Sequence, residues 1–436
     1  MKLNRLWAAA GKTLAAVVGI TILTVSATAF AASQYTTIYT FSADVPIYAG
    51  LIADPAGNLY GTTVRGGLHG YGTVFMLSSN PDGSWNRRVL HNFGGGRDGA
   101  YPTAPLIIDQ SGNLYGTTAY GGKGPCLLNG YAGCGVVFKL TVNPNGSWKE
   151  TVLHSFKGVP DGFYPARDGL TFGEAGALYG ATQFGGTVST NCPNGCGTVF
   201  KLQPNADGSW HESVLHRFDE ANGWSPVGGL IFDSTGNIYG LTNMGGGYLG
   251  PNCTGYPGCG TVFELSPKPD GSWTEQILHF FAGEEMGDGG IAYIGMIFGP
   301  DGALYGTTAW GAPPGVGGVF RLTSQSGGSW SYEWFYSFHS GKDGAVPWGR
   351  LTLDAAGNMY GTTLEGGRGP CTNYAGGCGT IFKVTTDGVV TVLHEFRNRP
   401  GAYPHSGLAL DPSGNFFGTT TGDGTSTFGT LFEITP

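Results

Sequence analysis

Histidine is the side chain best suited to acid–base chemistry near neutral pH, and nine occur in this chain. Five of them take the same position in a recurring Val/Ile-Leu-His-x-Phe motif, and Tyr39 and Tyr336 take that position in two further copies. A residue repeated in this way usually does a repeated structural job, so we interpret the five as hydrogen-bonding groups within or between repeats. They are His91, His154, His216, His279 and His394.

A second group of charged and aromatic residues departs from the repeat. Arg167, Asp168, Trp224, Trp348, Arg350 and His405 stand where other copies carry small residues. Groups of this kind that converge on one opening form a polar site. His405, Arg167, Asp168 and Arg350 are therefore weak catalytic candidates; alternatively, Arg167 and Asp168 pair with each other.

One position after the recurring Tyr-Gly-Thr-Thr motif varies from copy to copy. In order it reads Arg65, Tyr120, Phe184, Met244, Trp310, Glu365 and Gly422. Tyr120, Phe184 and Trp310 are suited to stack on sugar rings or to pack on a protein partner, and Trp224 and Trp348 complete the expected binding residues. The alternative is that each aromatic side chain covers the loop of its own repeat.

The eight cysteines form four pairs that are close in sequence. The pairs are Cys126/Cys134, Cys192/Cys196, Cys253/Cys259 and Cys371/Cys378. In an exported chain this spacing predicts four small disulfide loops. Metal binding is the alternative, but none of these loops contains a histidine. Signatures such as Gly-x-Ser-x-Gly, His-Glu-x-x-His and the Walker loop do not occur in the sequence, so we expect neither a cofactor nor a metal.

The Tyr-Gly-Thr-Thr motif and its variants set out the elements that must position these residues. They occur seven times, at Tyr60, Tyr115, Tyr179, Tyr239, Tyr305, Tyr360 and Phe417. Each interval of 55 to 66 residues holds four short strands separated by Asp-x-x-Gly-Asn and Gly-Ser-Trp turns. The pattern predicts an all-β, seven-bladed β-propeller of four-stranded antiparallel blades; a β-solenoid is the alternative.

The N-terminal and C-terminal segments together contain the four strands of one blade. The last repeat stops after three strands, whereas Tyr35–Phe41 matches the fourth-strand pattern and stands alone at the start. We therefore predict that this N-terminal strand closes the last blade, which leaves no long sheet edge open. Loops between strands 2 and 3, and between blades, then share one face, and function concentrates on such long loops.

The first residues have the character of an export signal. Lys2, Arg5 and Lys12 precede an apolar stretch and a small-x-small site at residues 29–31. We predict a signal peptide over residues 1–31 and a single propeller domain over residues 32–436; an uncleaved membrane anchor is the alternative. Removing the leader takes the formal net charge from −8 to −11, which disfavours nucleic acid as a partner. We expect no membrane span in the mature chain, which we take to be a monomer.

Taken together, these motifs resemble the GloVer tandem-repeat family of exported bacterial proteins, called choice-of-anchor because members differ in their C-terminal anchors. The resemblance runs from residue 35 to 436 and rests on Val-Leu-His-x-Phe, Asp-Gly-x-x-Pro, Asp-x-x-Gly-Asn-Leu-Tyr-Gly-Thr-Thr and Gly-Thr-Val-Phe-Lys-Leu. It implies an exported repeat protein of uncharacterised activity and supplies no catalytic residues. The C-terminal anchor is not recognisable here.

These observations favour a secreted, non-enzymatic propeller that binds a glycan or a cell-surface protein through its long-loop face. One alternative is a lyase or hydrolase whose polar site lies at the mouth of the central channel, and another is a purely structural module of a surface assembly. The expected location is extracellular or periplasmic.

Overall fold

The repeat folds into seven small antiparallel sheets arranged as a ring. The computed structural model describes residues 33–41, 50–159, 161–227, 229–247, 258–283, 286–372, 375–397, 399–422 and 429–436. Residues 33–436 form one compact unit. This confirms the predicted seven-bladed β-propeller. The expected signal peptide over residues 1–31 lies outside the described residues.

Each blade carries four strands in the order inner, second, third and outer. Blade by blade, the strands are Ile52–Ala53, Leu59–Thr63, Thr73–Ser79 and Trp85–Asn92; Ile107–Ile108, Leu114–Thr118, Val136–Val142 and Trp148–Ser155; Thr171–Phe172, Leu178–Phe184, Thr198–Pro204 and Trp210–Arg217; Ile231–Phe232, Ile238–Met244, Thr261–Pro267 and Trp273–Phe280; Ile297–Phe298, Leu304–Thr308, Gly318–Ser324 and Trp330–Ser337; Thr352–Leu353, Met359–Glu365, Thr380–Val384 and Val390–Glu395; and Ala409–Leu410, Phe416–Thr419, Thr430–Thr435 and Gln34–Thr40.

Short additional elements lie in the loops, most of them on the long-loop face. Blades 3, 4 and 6 gain a strand from the preceding connection, at Phe163–Pro165, Trp224–Pro226 and Ala345–Pro347. Blade 2 carries a small hairpin of Leu127–Leu128 and Tyr131–Ala132. A one-turn helix, Ala312–Gly315, lies in the long loop of blade 5, and another, Glu174–Gly176, forms the tight turn between the first two strands of blade 3, on the opposite face. No helix within the described ranges is long and apolar enough to cross a membrane.

The N-terminal strand closes the ring, as predicted. Gln34–Thr40 runs antiparallel to Thr430–Thr435, with Gln34 opposite Thr435 and Thr40 opposite Thr430. The Tyr35 ring stacks on His394 of blade 6 at 3.8 Å between ring centroids. The first and last segments of the chain are thereby held in one sheet, which removes two exposed edges at once.

The recurring Tyr-Gly-Thr-Thr motif has a packing reason at each position. In blade 2, a Cβ on Gly116 would lie 2.6 Å from the Phe138 ring, so only glycine lets that ring pack flat against the second strand. Phe138 is fully buried, like its counterparts in the other blades. The Tyr115 hydroxyl donates to the Asp109 carboxylate at 3.0 Å, and that carboxylate also accepts from Asn113. The motif and the preceding turn therefore form one hydrogen-bonded unit.

Candidate functional site

The loops between blades place one side chain each on the long-loop face through a strained backbone. At six of these connections, the residue two positions after a glycine (in Asp-Gly-x at four of them, Asn-Gly-x and Pro-Gly-x at the others) has a φ of 55° to 59°, a left-handed conformation that costs energy for a residue other than glycine. Its N–H donates, at 2.8 to 3.1 Å, to a carbonyl in the long loop of the preceding blade. The six donors are Tyr101, Tyr164, Ser225, Ile291, Val346 and Tyr403. The same strained backbone conformation thus recurs at six connections, and at each one an inter-blade hydrogen bond fixes it. This conformation sets the direction in which the side chain leaves the backbone.

Disulfide loops supply the accepting carbonyls at four of the six connections. Cys134, Cys196, Cys259 and Cys378 each present the carbonyl oxygen that accepts. Three of the predicted disulfides join described residues: Cys126–Cys134, Cys192–Cys196 and Cys371–Cys378. Cys253 lies outside the described residues. These disulfides therefore help to fix the long loops that line the face.

In blade 2 the disulfide closes the base of the small hairpin that carries Tyr131. Asn129 and Gly130 form its two-residue turn with φ values of 53° and 82°, as the tightest hairpin turns require. Tyr131 begins the returning strand. The turn chemistry and the disulfide together bring Tyr131 over the mouth of a cavity.

That cavity, called here the tyrosine cavity, has a volume of about 400 Å³ and lies on the long-loop face. The volume is within the range of pockets that bind small molecules. Four of its lining side chains are tyrosines. The lining residues are Val64, Arg65, Tyr101, Thr103, Tyr120, Tyr131, Tyr164, Arg167, Trp348 and His405. Arg65, Tyr120, Arg167, Trp348 and His405 were singled out from the sequence, and the fold brings them together.

The tyrosine rings form one aromatic cluster. Tyr120, which is 9% exposed, contacts Tyr101, Tyr131 and Tyr164 with ring centroids 5.8, 5.0 and 5.3 Å away. Tyr101 and Tyr164 meet Tyr120 edge-on, the arrangement that aromatic quadrupoles favour. Burial, and then the nearby Tyr164, raise the pKa of Tyr120 to about 12. The Tyr120 hydroxyl therefore stays protonated and able to donate at neutral pH.

Two arginines give the tyrosine cavity a positive charge. The Arg65 guanidinium lies 5.9 Å from the centre of the Tyr101 ring and donates to the Tyr131 hydroxyl at 3.1 Å. Arg167 also lines the cavity and lies near His405. Burial, and then the Arg167 charge, lower the pKa of His405 to about 4, so its imidazole is neutral at pH 7. No aspartate or glutamate is among the described residues that line this cavity.

The remaining aromatic candidates are divided between places. Phe184 and Trp224 line a second cavity of about 230 Å³, which shares Arg167 with the tyrosine cavity. Trp348 stacks on Tyr293 at 3.8 Å and so joins the two cavities. Trp310 lines neither cavity and packs near Ala309 and Val346. Tyr120, Phe184 and Trp310 therefore do not share one surface, although the first two lie in adjacent cavities.

Asp168 and Arg350 lie in the central channel, not in the tyrosine cavity. They line a space of about 200 Å³ together with residues from the inner strands. The buried Asp168 carboxylate accepts from the backbone N–H groups of Gly229 and Gly295 at 2.8 and 3.1 Å. An Arg350 nitrogen lies 3.8 Å from the same oxygen. Asp168 therefore bridges other blades, whereas the sequence had offered Arg167 as its partner.

The family relationship agrees with this architecture. The family model described as the Gloeobacter/Verrucomicrobia repeat matches residues 21–253 and 248–436. The chain belongs to this repeat family. No protein with a curated description is similar enough in sequence to match it.

Solved structures similar to this GloVer propeller are distant in sequence. The hydrazine synthase of Kuenenia stuttgartiensis is 14% identical, with a TM-score of 0.51, and the match covers 90% of this chain and 96% of that chain. A candidate 6-phosphogluconolactonase of Bacteroides fragilis is also 14% identical, with a TM-score of 0.50, over 85% of this chain and 87% of that chain. At this identity the likeness shows the fold alone.

The repeated histidines of the GloVer propeller lie between neighbouring blades. At the blade 3–4 boundary, His216 Nε2 lies 3.1 Å from Glu275 of the next outer strand, and the Asn222 amide donates to Glu275 at 2.8 Å. At the blade 2–3 boundary, His154 Nε2 lies 3.3 Å from Asp161, and Glu212 takes the position of Glu275. These histidines thus occupy the inter-blade positions that their regular repetition suggested.

Sequence reasoning missed three of the four tyrosines that line the tyrosine cavity. Tyr101 and Tyr164 precede the proline of Asp-Gly-x-Tyr-Pro, and Tyr131 lies inside a disulfide loop. The position before that proline reads Tyr, Tyr, Ser, Val and Tyr in the five copies that have the proline. Comparing this position across the repeats would have found the first two, because it varies on a fixed scaffold.

Proposed function

We propose that this GloVer propeller is an exported binding protein whose tyrosine cavity binds an acidic oligosaccharide. The observation that carries the proposal is the composition of the cavity: four tyrosines, one tryptophan and two arginines around about 400 Å³. Aromatic faces pack against the apolar faces of sugar rings, and hydroxyl groups supply directional hydrogen bonds. The arrangement suits one or two sugar residues with a negative substituent.

The charge of the cavity favours an acidic sugar over a neutral one. Arg65 and Arg167 both line the cavity, and the lining described above offers them no carboxylate. Guanidinium groups bind carboxylates and sulfates through charge-assisted, often paired, hydrogen bonds. A neutral glycan would leave both charges without an anionic partner. The whole chain is acidic, with a net charge of −8, so this positive site is a local feature.

The shape of the cavity favours a small ligand over a folded protein partner. Protein interfaces of standard size bury about 800 Å² on each side over a broad surface. Here the aromatic residues line a concavity, and Tyr120 is largely buried at its wall. Export is part of the proposal: disulfides persist in oxidising compartments, and the N-terminal sequence has the character of a secretory leader.

Calorimetric titration of the purified protein tests the proposal. The probes are oligogalacturonate, alginate and hyaluronan tetrasaccharides, with cellotetraose and maltotetraose as neutral comparisons. We expect at least one acidic probe to bind, and Arg65→Gln to weaken that binding at least about tenfold, because a charge-assisted hydrogen bond contributes about 1.5–3 kcal/mol. Arg65 is exposed, so the substitution leaves the fold intact.

Arg88→Gln is the matched control for this experiment. Arg88 is also exposed, but it lies on the outer strand of blade 1, away from the cavity. Its substitution should leave the affinity unchanged. The proposal fails if none of the acidic probes binds, if neutral probes bind equally well, or if the two variants lose affinity to the same extent.

An enzymatic role is the second candidate, because His405 and Arg167 line the same cavity. A lyase or hydrolase would use His405 as a proton acceptor near the bound sugar. Its pKa, lowered to about 4, makes the neutral imidazole a weak base at pH 7, and this places the enzymatic role second. Mass spectrometry of the probes after incubation separates the two: cleavage that disappears in His405→Ala would establish the enzyme.

A further inference from the structure

Away from the tyrosine cavity, the boundary between blades 2 and 3 brings three metal-ligating side chains together. His154 ends the outer strand of blade 2, Asp161 lies in the following connection, and Glu212 lies on the outer strand of blade 3. One ligand atom from each lies within 4.8 Å of the other two. All three side chains are partly buried, so the cluster is shielded without being sealed from solvent.

Two carboxylate oxygens in this cluster lack a donor. Asp161 Oδ1 and Glu212 Oε1 are buried, and no hydrogen-bond donor among the described residues reaches either atom. The other Asp161 oxygen accepts from the Lys157 N–H at 2.9 Å and lies 3.3 Å from His154 Nε2. Neither Lys157 nor Arg217 donates to these two oxygens. A buried carboxylate oxygen without a donor is costly, and either protonation of the carboxyl group or a bound cation removes that cost.

At the next boundary around the ring, a hydrogen-bond donor lies between the histidine and the glutamate. Between blades 3 and 4, Asn222 replaces the aspartate. Its amide nitrogen lies 3.2 Å from His216 Nε2 and donates to Glu275 at 2.8 Å. The amide thus sits between imidazole and carboxylate, where the blade 2–3 boundary has two carboxylates and no such donor.

The boundary between blades 4 and 5 avoids two carboxylates beside one histidine in another way. There Tyr332 stands in place of the glutamate and stacks on His279 at 4.1 Å, so that only one carboxylate, Asp288, faces the histidine. The blade 2–3 boundary combines the histidine with both carboxylates, and so does the blade 1–2 boundary. There Glu150 is the equivalent of Glu212, and His91 Nε2 lies 3.7 Å from Asp98. The blade 2–3 boundary is where three such ligand atoms converge among the described residues.

We infer that His154, Asp161 and Glu212 bind a divalent transition-metal ion, with Zn²⁺ as the best fit. One imidazole nitrogen and two carboxylate oxygens are a ligand set that zinc accepts, with water in the fourth position. Zinc bonds of about 2.0–2.2 Å hold tetrahedral ligand atoms about 3.3 Å apart, which is the separation of His154 Nε2 and Asp161 Oδ2; the donor-free Asp161 Oδ1 belongs to the same carboxylate. The Glu212 oxygen has to approach by at most about 1.5 Å.

The inferred site ties two blades next to the tyrosine cavity. Its ligands come from both sides of one boundary, and Asp161 lies three residues before Tyr164 of the cavity lining. The Lys157 N–H orients the Asp161 carboxylate, in the manner of groups that support metal ligands from behind. Bound metal therefore stabilises the folded ring and steadies one wall of the cavity.

Equilibrium dialysis of chelator-treated protein against ZnCl₂, with metal content read by mass spectrometry, tests the inference. We expect about one saturable equivalent in the unmodified protein. Glu212→Gln keeps the shape but removes a ligand charge, so affinity should fall at least about tenfold. Zinc should also raise the Tm of the unmodified protein, because it binds the folded state, and should not raise that of Glu212→Gln.

Two control variants separate this site from other histidines and glutamates. Glu275→Gln changes the equivalent position of the next boundary, and His211→Ala removes an exposed imidazole beside Glu212. Both should retain the zinc equivalent. Absence of saturable binding to the unmodified protein, or equal binding by Glu212→Gln, would overturn the inference.

Discussion

Tyr101 and Tyr164 show how much of this site depends on the backbone of single residues. Each has a φ near +57°, and each donates its N–H to the carbonyl oxygen of a residue in the neighbouring long loop. A non-glycine residue keeps this conformation only where the surroundings fix it. An inter-blade hydrogen bond therefore offsets the strain, and the resulting backbone conformation places the tyrosine ring in the cavity wall.

Gly116 offers a direct test of the packing reason for the repeat. We expect Gly116→Ala to destabilise the fold by about 2–3 kcal/mol, because the added Cβ would lie 2.6 Å from Phe138 and 2.8 Å from Leu106 in a filled core. Urea denaturation measures the change. Gly96→Ala is the control, since a Cβ there meets nothing within 4 Å and its cost should be below about 0.5 kcal/mol. Equal effects would refute the packing explanation.

At this scale the sequence predicted scaffold residues better than site residues. The bond between Tyr115 and Asp109 follows from a local motif that any one repeat displays. Tyr120, Trp348 and His405 were found because they vary on a fixed frame. Their meeting with Tyr101, Tyr131 and Tyr164 could not be read from the chain, because it depends on how far loops from separate blades extend over the face. The same limit explains why Trp310 was grouped with Tyr120.

Among the elements, the N-terminal strand is the one that closes the ring. Gln34–Thr40 has no sequence neighbour in its sheet, since it pairs with the last strand of the chain. Its alternation and its match to the outer-strand motif were enough to predict this position. The disulfide hairpin of blade 2 was less predictable: its cysteines indicated a loop, but the Asn129-Gly130 turn and the placement of Tyr131 follow from the folded structure.

Truncation tests the role of this closing strand. A chain that starts at residue 42 should unfold at least about 10 °C below one that starts at residue 33, because it exposes the edge of Thr430–Thr435 and loses the Tyr35 contacts. Both chains lack residues 1–32, so the comparison isolates the strand. Differential scanning calorimetry gives the two Tm values.

A rescue variant makes the truncation test specific. Gln34 lies opposite Thr435, so residues 33–41 attached after Pro436 through a short glycine linker can return to the same place in the sheet. This permuted chain should recover most of the lost Tm. If the truncated chain is as stable as its control, the closing strand does not have the role assigned to it.

For the molecule as a whole, a nearly regular ring supports an irregular face. The inner and second strands repeat closely from blade to blade. They could be predicted because seven copies of one sequence pattern support the same assignment. The tyrosine cavity draws residues from both sides of the ring: from blades 1 and 2, and from the connections that follow blades 1, 2, 5 and 6. The inferred metal site lies at the boundary between blades 2 and 3. Seven similar blades thus form the scaffold, and residues that differ from one repeat to the next form the two proposed sites.

A crystal structure of the protein soaked with its tightest acidic tetrasaccharide tests the central claim most directly. The account predicts density for a sugar ring in the tyrosine cavity, packed against Tyr120 or Trp348, with a carboxylate or sulfate oxygen about 3 Å from the Arg65 or Arg167 guanidinium. Density on the opposite face, beside turns such as Asp54–Asn58, would contradict it. So would an empty tyrosine cavity at saturating ligand.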